Sequence, residues 1–98
     1  MTLSIVFRFA AQADYADAAR WYEDRAPGIG YRFVSRVEDA LTLIQESPRR
    51  VGTIHLDIRR ARVRNFPYFI YYLVEDSRIV VLAILHARRN PKTWRRRG

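Results

Sequence analysis

Three arginines spaced by two residues, Arg60, Arg62 and Arg64, are the first place in this 98-residue chain where residue type and spacing suggest chemistry. Side chains two apart on a strand share a face. Guanidinium forks on one face suit phosphate or carboxylate oxygens and hold their charge at any working pH. The plainer reading is the wet face of a strand whose charges discourage edge pairing. A second constellation is His86 with Arg88 and Arg89. An imidazole there suits proton abstraction from a ribose hydroxyl, and the arginines suit the charge that develops as a phosphodiester is cleaved. The plainer reading is a local hydrogen bond at a strand end. Trp94 offers a surface for stacking on a base or anchoring a partner, or simply packs the C-terminal segment onto a sheet. No Gly-rich phosphate loop, paired-carboxylate arrangement, metal-ligand spacing or nucleophile motif accompanies these groups, which argues against conventional hydrolases and kinases.

The elements that must position them centre on Asn65 to Trp94. Tyr68 to Val74 is aromatic or branched almost throughout, and Ile79 to Leu85 is wholly apolar, so both predict strands. The polar Glu75-Asp76-Ser77-Arg78 between them predicts an antiparallel hairpin with a two-residue connection around Asp76 and Ser77. Both parities are apolar, so cover is expected on much of both faces. Ahead of this unit, Ile58 to Arg64 alternates Arg60, Arg62 and Arg64 against Ala61 and Val63, a half-buried strand. Arg49 to Asp57 predicts either a short edge strand around Thr53 to Leu56 or irregular chain.

Leu3 to Phe9 predicts an N-terminal strand at a sheet edge, with Leu3, Ile5, Phe7 and Phe9 on one side. Tyr15, Ala18, Ala19 and Tyr22 then fall at i, i+3, i+4 and i+7, which predicts a helix from about Ala11 to Arg25 with Asp14 and Asp17 near the positive end of its dipole. Trp21 lies off that stripe, as a lid or an exposed contact. Ala26-Pro27-Gly28-Ile29-Gly30 is a tight connection. Phe33, Val37, Ala40, Leu41 and Ile44 form a second helical stripe, which Ser47-Pro48 ends. The order is strand, helix, helix, then three or four antiparallel strands, an α+β arrangement in a single domain over residues 1–98.

Composition narrows the rest. Apolar residues make up 49%, enough to fold. The absence of cysteine rules out a disulfide framework, and two histidines, His55 and His86, argue against structural zinc. No apolar run approaches the roughly 20 residues of a membrane span, and Met1-Thr2-Leu3-Ser4 lacks the features of a signal peptide. A cytoplasmic protein with no membrane partner and no cofactor is expected. The net charge of +8, concentrated after Pro48, points to an acidic partner.

These residues form an ordered set. Trp21-Tyr22-Glu23, Pro27-Gly28-Ile29-Gly30, Phe33, Ala40-Leu41, Ile44, Pro48, Arg59-Arg60, Phe66-Pro67-Tyr68, Ile70-Tyr71-Tyr72 and His86-Ala87-Arg88-Arg89-Asn90-Pro91 with Trp94 together resemble the ParE branch of the RelE/ParE toxin superfamily, often labelled plasmid stabilisation proteins. The resemblance spans essentially the whole chain. It implies a bacterial type II toxin–antitoxin system, a RelE/ParE-like fold of two helices over an antiparallel sheet, and a cognate antitoxin whose C-terminal segment wraps the toxin in a hetero-oligomer.

RelE-like members cut messenger RNA on the ribosome, whereas ParE-like members poison DNA gyrase without being nucleases. This sequence has Phe69 where RelE-like chains, and often ParE-like chains too, carry an arginine, and Trp94 where RelE-like chains carry a late tyrosine, and an indole cannot exchange a proton as a phenol can. The resemblance therefore implies a ParE-like toxin that inhibits gyrase by binding, with no catalytic residue assigned. Target-binding residues would be Arg60, Arg62, Arg64, Arg88, Arg89 and Trp94, and antitoxin-binding residues Trp21, Arg59, Tyr68 and Tyr72. The alternative is a ribosome-dependent endoribonuclease with Arg64, His86 and Arg88 as its catalytic groups. A third class, a small nucleic-acid-binding module, would use the arginine row alone.

Overall fold

The computed structural model describes residues 3–98; Met1 and Thr2, which open the N-terminal segment read above, lie outside the described residues. The elements run β1 (Ser4–Phe7), α1 (Phe9–Arg25), α2 (Ile29–Glu46), β2 (Thr53–His55), β3 (Ile58–Arg62), β4 (Tyr68–Val74), β5 (Arg78–His86) and α3 (Pro91–Arg95). One five-stranded sheet has the order β1-β5-β4-β3-β2. β2 to β5 form an antiparallel series, as expected, while β1 returns beside β5 as a parallel edge strand, Ser4 opposite Arg78 and Phe7 opposite Val81. Composition gave no sign of that parallel pairing, because one short strand of mixed polarity fits either direction.

The two helices form a hairpin over one sheet face. Phe33, Val37, Ala40, Leu41 and Ile44 of α2 are buried as the stripe requires, and they meet Val63, Ile70, Tyr72, Ile79, Val81 and Ile84 from the sheet. Phe9 departs from the strand expectation. It opens α1 and is 86% exposed. Because the helix starts at Phe9, Asp14 falls in its second turn rather than at the dipole's positive end, and the first turn holds no acid. The turn between the helices needs Gly28, whose φ is 89°, a region that L side chains rarely adopt. The Glu23 carboxylate accepts hydrogen bonds from Gly28 N (3.0 Å) and Gly30 N (3.0 Å), so it satisfies orphan donors at the start of α2.

Expected cover on the second sheet face comes from the chain's own end. The side chain of Asn90 accepts from Lys92 N and Pro91 sits in the first turn of α3, both standard helix starters. Trp94 is thereby laid flat on Tyr71, with ring centroids 4.9 Å apart and planes within 16°. Around this stack lie Ile58, Val80, Leu82, Ala83 and Leu85.

A bulge in β5 sets which face its last residues occupy. Tyr71 pairs with Ala83 and Tyr72 with Val81, leaving Leu82 as the extra residue. Leu82 and Ala83 therefore both face α3, and the parity beyond them is reversed. Ile84 and His86 turn toward the helices as a result.

Candidate functional site

The end of the sheet formed by the β3–β4 turn and the exit of β5 gathers most of the candidate residues. Val63 N donates to Tyr68 O at 2.9 Å and Tyr68 is registered opposite His86. Arg64, His86 and the Arg88-Arg89 turn therefore share one end of the fold. They do not share one face.

On the face that α3 partly covers, Arg60 and Arg62 project together from β3. The Arg60 Cζ lies 4.3 Å from the centroid of Phe69 and the Arg62 Cζ lies 5.9 Å from the same ring. Two cations thus rest against one aromatic ring, which orders the guanidiniums without neutralising them. The row ends there, because β3 stops at Arg62 and Arg64 lies in the following turn, beside Asn65 at a φ of 70°. All of Arg60, Arg62, Arg64, Arg88 and Arg89 are exposed. Tyr71, registered opposite Arg60, is buried, and burial pushes its phenol up while the nearby guanidinium opposes that shift.

On the opposite face a groove of about 550 Å³ runs between α1 and the ends of β4 and β5. Trp21 and Tyr22 form one wall, and Tyr68, His86 and Arg89 the other. The rings form a continuous aromatic set: Tyr22 meets Tyr68 at 6.0 Å between centroids, and Tyr68 meets His86 at 5.5 Å. Burial raises the Tyr68 phenol, partly offset by the charge of Arg89. Trp21 is half exposed, with the Arg25 guanidinium 4.0 Å above its ring. The Nδ1 of His86 accepts from Arg88 N at 3.0 Å, so its Nε2 is the nitrogen left for other partners.

Two expected contact residues are placed elsewhere. Trp94, expected to face a target, is only 5% exposed and belongs to the core under α3. Tyr72, expected to face an antitoxin, is 1% exposed and its hydroxyl donates to Pro48 O at 3.0 Å. Both corrections follow from cover on two sheet faces: Tyr72 of β4 lies under the helix hairpin, and Trp94 of α3 is itself part of the cover, packed on Tyr71. Arg59 is half-buried and donates from Nη1 to Val51 O, which ties the β2–β3 hairpin to the loop after α2.

A further pair, Asp14 with Arg97, joins α1 to the C-terminal end. β1 ends opposite Val81, which leaves the outer edge of β5 without a strand neighbour beyond that point. Asp14 Oδ2 accepts from Ile84 N at 3.1 Å, and Arg97 Nη1 donates both to that same oxygen at 2.6 Å and to Leu82 O at 3.1 Å. In the sequence Asp14 reads as an acid near the positive end of a helix dipole and Arg97 as the last of a basic Arg95-Arg96-Arg97 run, so neither announces the other.

Among the described residues no group of three His, Cys, Asp or Glu side chains could hold a metal ion, and no helix is long and apolar enough to cross a membrane.

Comparison with known proteins agrees with this architecture. The family model of the ParE toxin of type II toxin-antitoxin system, parDE, matches residues 5–91. Toxin ParE2 of Mycobacterium tuberculosis, in strains CDC 1551 / Oshkosh and ATCC 25618 / H37Rv, is 28% identical over 92 residues, covering 93% of this chain and 88% of the relative. Among solved structures, a chain of the chromosomal ParDE TA system from P. aeruginosa superposes with a TM-score of 0.74 over 87% of this chain and 96% of that one. At 17% identity that likeness speaks for the fold. With the matched segment running from β1 to the start of α3, the chain belongs to the ParE toxins of type II toxin-antitoxin systems, within the RelE/ParE superfamily.

Proposed function

We propose that this ParE toxin acts by binding and inhibiting DNA gyrase, and that a cognate antitoxin neutralises it. The observation that carries the reading is the split between the two faces. Phosphodiester cleavage needs a proton acceptor and charge-stabilising groups converging on one scissile bond. Here the bulge at Leu82 turns His86 into the groove with Tyr68, while Arg60 and Arg62 lie against Phe69 on the opposite face. With Arg60 and Arg62 on one face and only Arg89 beside the aromatic groove on the other, the arrangement suits two macromolecular contacts better than a catalytic centre. The exposed Arg60, Arg62, Arg64 and Arg88 serve the target, together with Arg89, which stands at the border with the groove. Trp21 and Tyr68 offer the antitoxin's C-terminal segment an aromatic cleft, with Arg59 nearer the β2 edge.

Purified toxin should block gyrase supercoiling or accumulate cleaved DNA, and Arg60→Glu with Arg62→Glu should weaken that effect at least tenfold. No effect at toxin concentrations well above gyrase overturns the proposal. For the antitoxin, Trp21→Ala should lower affinity at least tenfold with unchanged unfolding midpoint. One observation favours a second reading: Arg88 N holds His86 Nδ1, and Arg64 is at the same end of the sheet. Cleavage of messenger RNA on programmed ribosomes that is lost in His86→Ala and Arg88→Ala would replace gyrase inhibition with ribonuclease action.

A further inference from the structure

Charge in this protein is sorted by position. Of its ten acidic residues, seven lie on α1 and α2 (Asp14, Asp17, Glu23, Asp24, Glu38, Asp39 and Glu46). Asp57, Glu75 and Asp76 occupy the β2–β3 and β4–β5 turns, which the strand register places at one end of the sheet. Neither Ile58 to Val74 nor Arg78 to Gly98 contains an acid. The strands and turns at the opposite end of the sheet therefore carry cations and no acid; the nearest acids, Asp14 and Asp17 of α1, line the groove beside Arg89, on the face away from Arg60 and Arg62. The ion pairs among the described residues are Arg36–Asp39, Arg78–Glu75 and Arg97–Asp14, and none engages Arg60, Arg62, Arg64, Arg88 or Arg89.

We propose that this cationic end binds the phosphate backbone of duplex DNA directly, so that the toxin touches the DNA that gyrase handles as well as the enzyme. A compact anion would need cations that converge on it. These are spread instead, with Arg62 on β3 and the Arg88-Arg89 turn beyond β5, roughly 10 Å apart across two strand spacings. A polymer of regularly repeated charge meets such a spread surface without distortion, and release of its counterions drives binding. Phe69 adds preorganisation: a guanidinium resting on a ring keeps its N–H fork in the plane and available to phosphate oxygens. The edges of the bases are not required, so binding is expected to be indifferent to sequence.

The inference rests on the target-contact role given above to the same residues, and a gyrase-free assay separates the two. Anisotropy of a labelled 20-base-pair duplex of mixed sequence, titrated with the full chain from 50 to 200 mM salt, should show affinity falling steeply with salt (about one unit of slope per phosphate neutralised). Arg60→Gln with Arg62→Gln should weaken binding at least tenfold and lower the slope by roughly two units, and Arg64→Gln with Arg88→Gln should act similarly. Arg20→Gln with Arg32→Gln, on the helices and equal in charge change, should stay within about twofold. Absent binding by the unaltered chain, an unchanged slope, or equal loss in the helix control overturns the inference. So does a tighter grip on single-stranded RNA than on duplex DNA. If DNA binding fails while gyrase inhibition persists, only this inference falls; if gyrase is unaffected while DNA binds, only the gyrase reading falls.

Discussion

Asp14 and Arg97 are 83 positions apart in sequence and meet at 2.6 Å over the edge of β5 that β1 leaves bare. Their side chains are largely buried, at 13% and 21% exposure. The pair closes three demands at once, because Asp14 also accepts from Ile84 N and Arg97 also donates to Leu82 O. Backbone groups at a bare sheet edge invite pairing with a foreign chain, and here an ion pair occupies them.

Removing one member of such a pair leaves the other charge without its partner in a largely dry site. Asp14→Ala should cost about 2–3 kcal/mol by urea unfolding, below the full penalty of a wholly buried pair because some solvent reaches both groups. A double-mutant cycle with Arg97→Ala should give a coupling of about 1–2 kcal/mol. Additive single effects would show that the two groups act independently.

Much of this fold was legible from period and composition. The stripes of α1 and α2, the stop at Ser47, and the β4–β5 hairpin with its connection at Asp76 and Ser77 all follow from local residue pattern, which depends only on near neighbours. The candidate site was less legible. Arg60 and Arg62 could be placed on one face because alternation within β3 is unbroken, but His86 lies beyond a bulge that no single residue announces, since Leu82 and Ala83 are as apolar as their neighbours. The burial of Trp94 and Tyr72, and the Asp14–Arg97 pair, depend on which elements pack together across the whole chain.

The start of α2 has no capping side chain of its own, because Gly28 occupies that position, and Glu23 from the preceding helix serves instead. Glu23→Ala should destabilise the protein by about 1 kcal/mol, in the range of an N-cap loss. Glu23→Gln keeps the acceptor oxygen and loses the charge, so it should cost less than Glu23→Ala. Equal midpoints for all three proteins in urea would remove Glu23 from the account.

Gly30 tests the close crossing of α1 and α2. A Cβ there would sit 2.6 Å from the backbone oxygen of Ala19 and 2.8 Å from the Glu23 Cβ. A backbone atom cannot step aside as a flexible side-chain end can, so Gly30→Ala should cost about 1–3 kcal/mol despite alanine's better helix propensity. A rise in thermal midpoint would mean that the helices separate easily.

Trp94 distinguishes structure from recognition. Its indole stacks on Tyr71 and is buried, so Trp94→Ala should lose about 3 kcal/mol or more. Trp94→Phe keeps a ring in the same slot and should recover most of that stability. If the indole serves only packing, the phenylalanine variant should inhibit growth as strongly as the unaltered toxin when both are expressed to equal levels. Loss of toxicity with stability intact would return Trp94 to the contact surface.

Alkali probes the aromatic interior as a whole. Burial is the largest influence on Tyr15, Tyr22, Tyr68, Tyr71 and Tyr72 and raises all five phenols above their ordinary value of 10.0. For Tyr15 the hydrogen bond donated to Glu38 and that carboxylate's charge add to the shift. A raised folded-state value means that the native protein keeps protons which the unfolded chain releases. Stability from these groups is therefore complete below the unfolded value near 10 and declines as pH climbs through the higher folded values. In a Tyr31→Phe background, which removes the one tyrosine that is 79% exposed, absorbance of phenolate should lag behind that of free tyrosine and then rise in one step together with loss of far-ultraviolet circular dichroism. Complete phenolate formation while the circular dichroism signal stays native would show that these rings reach water without unfolding.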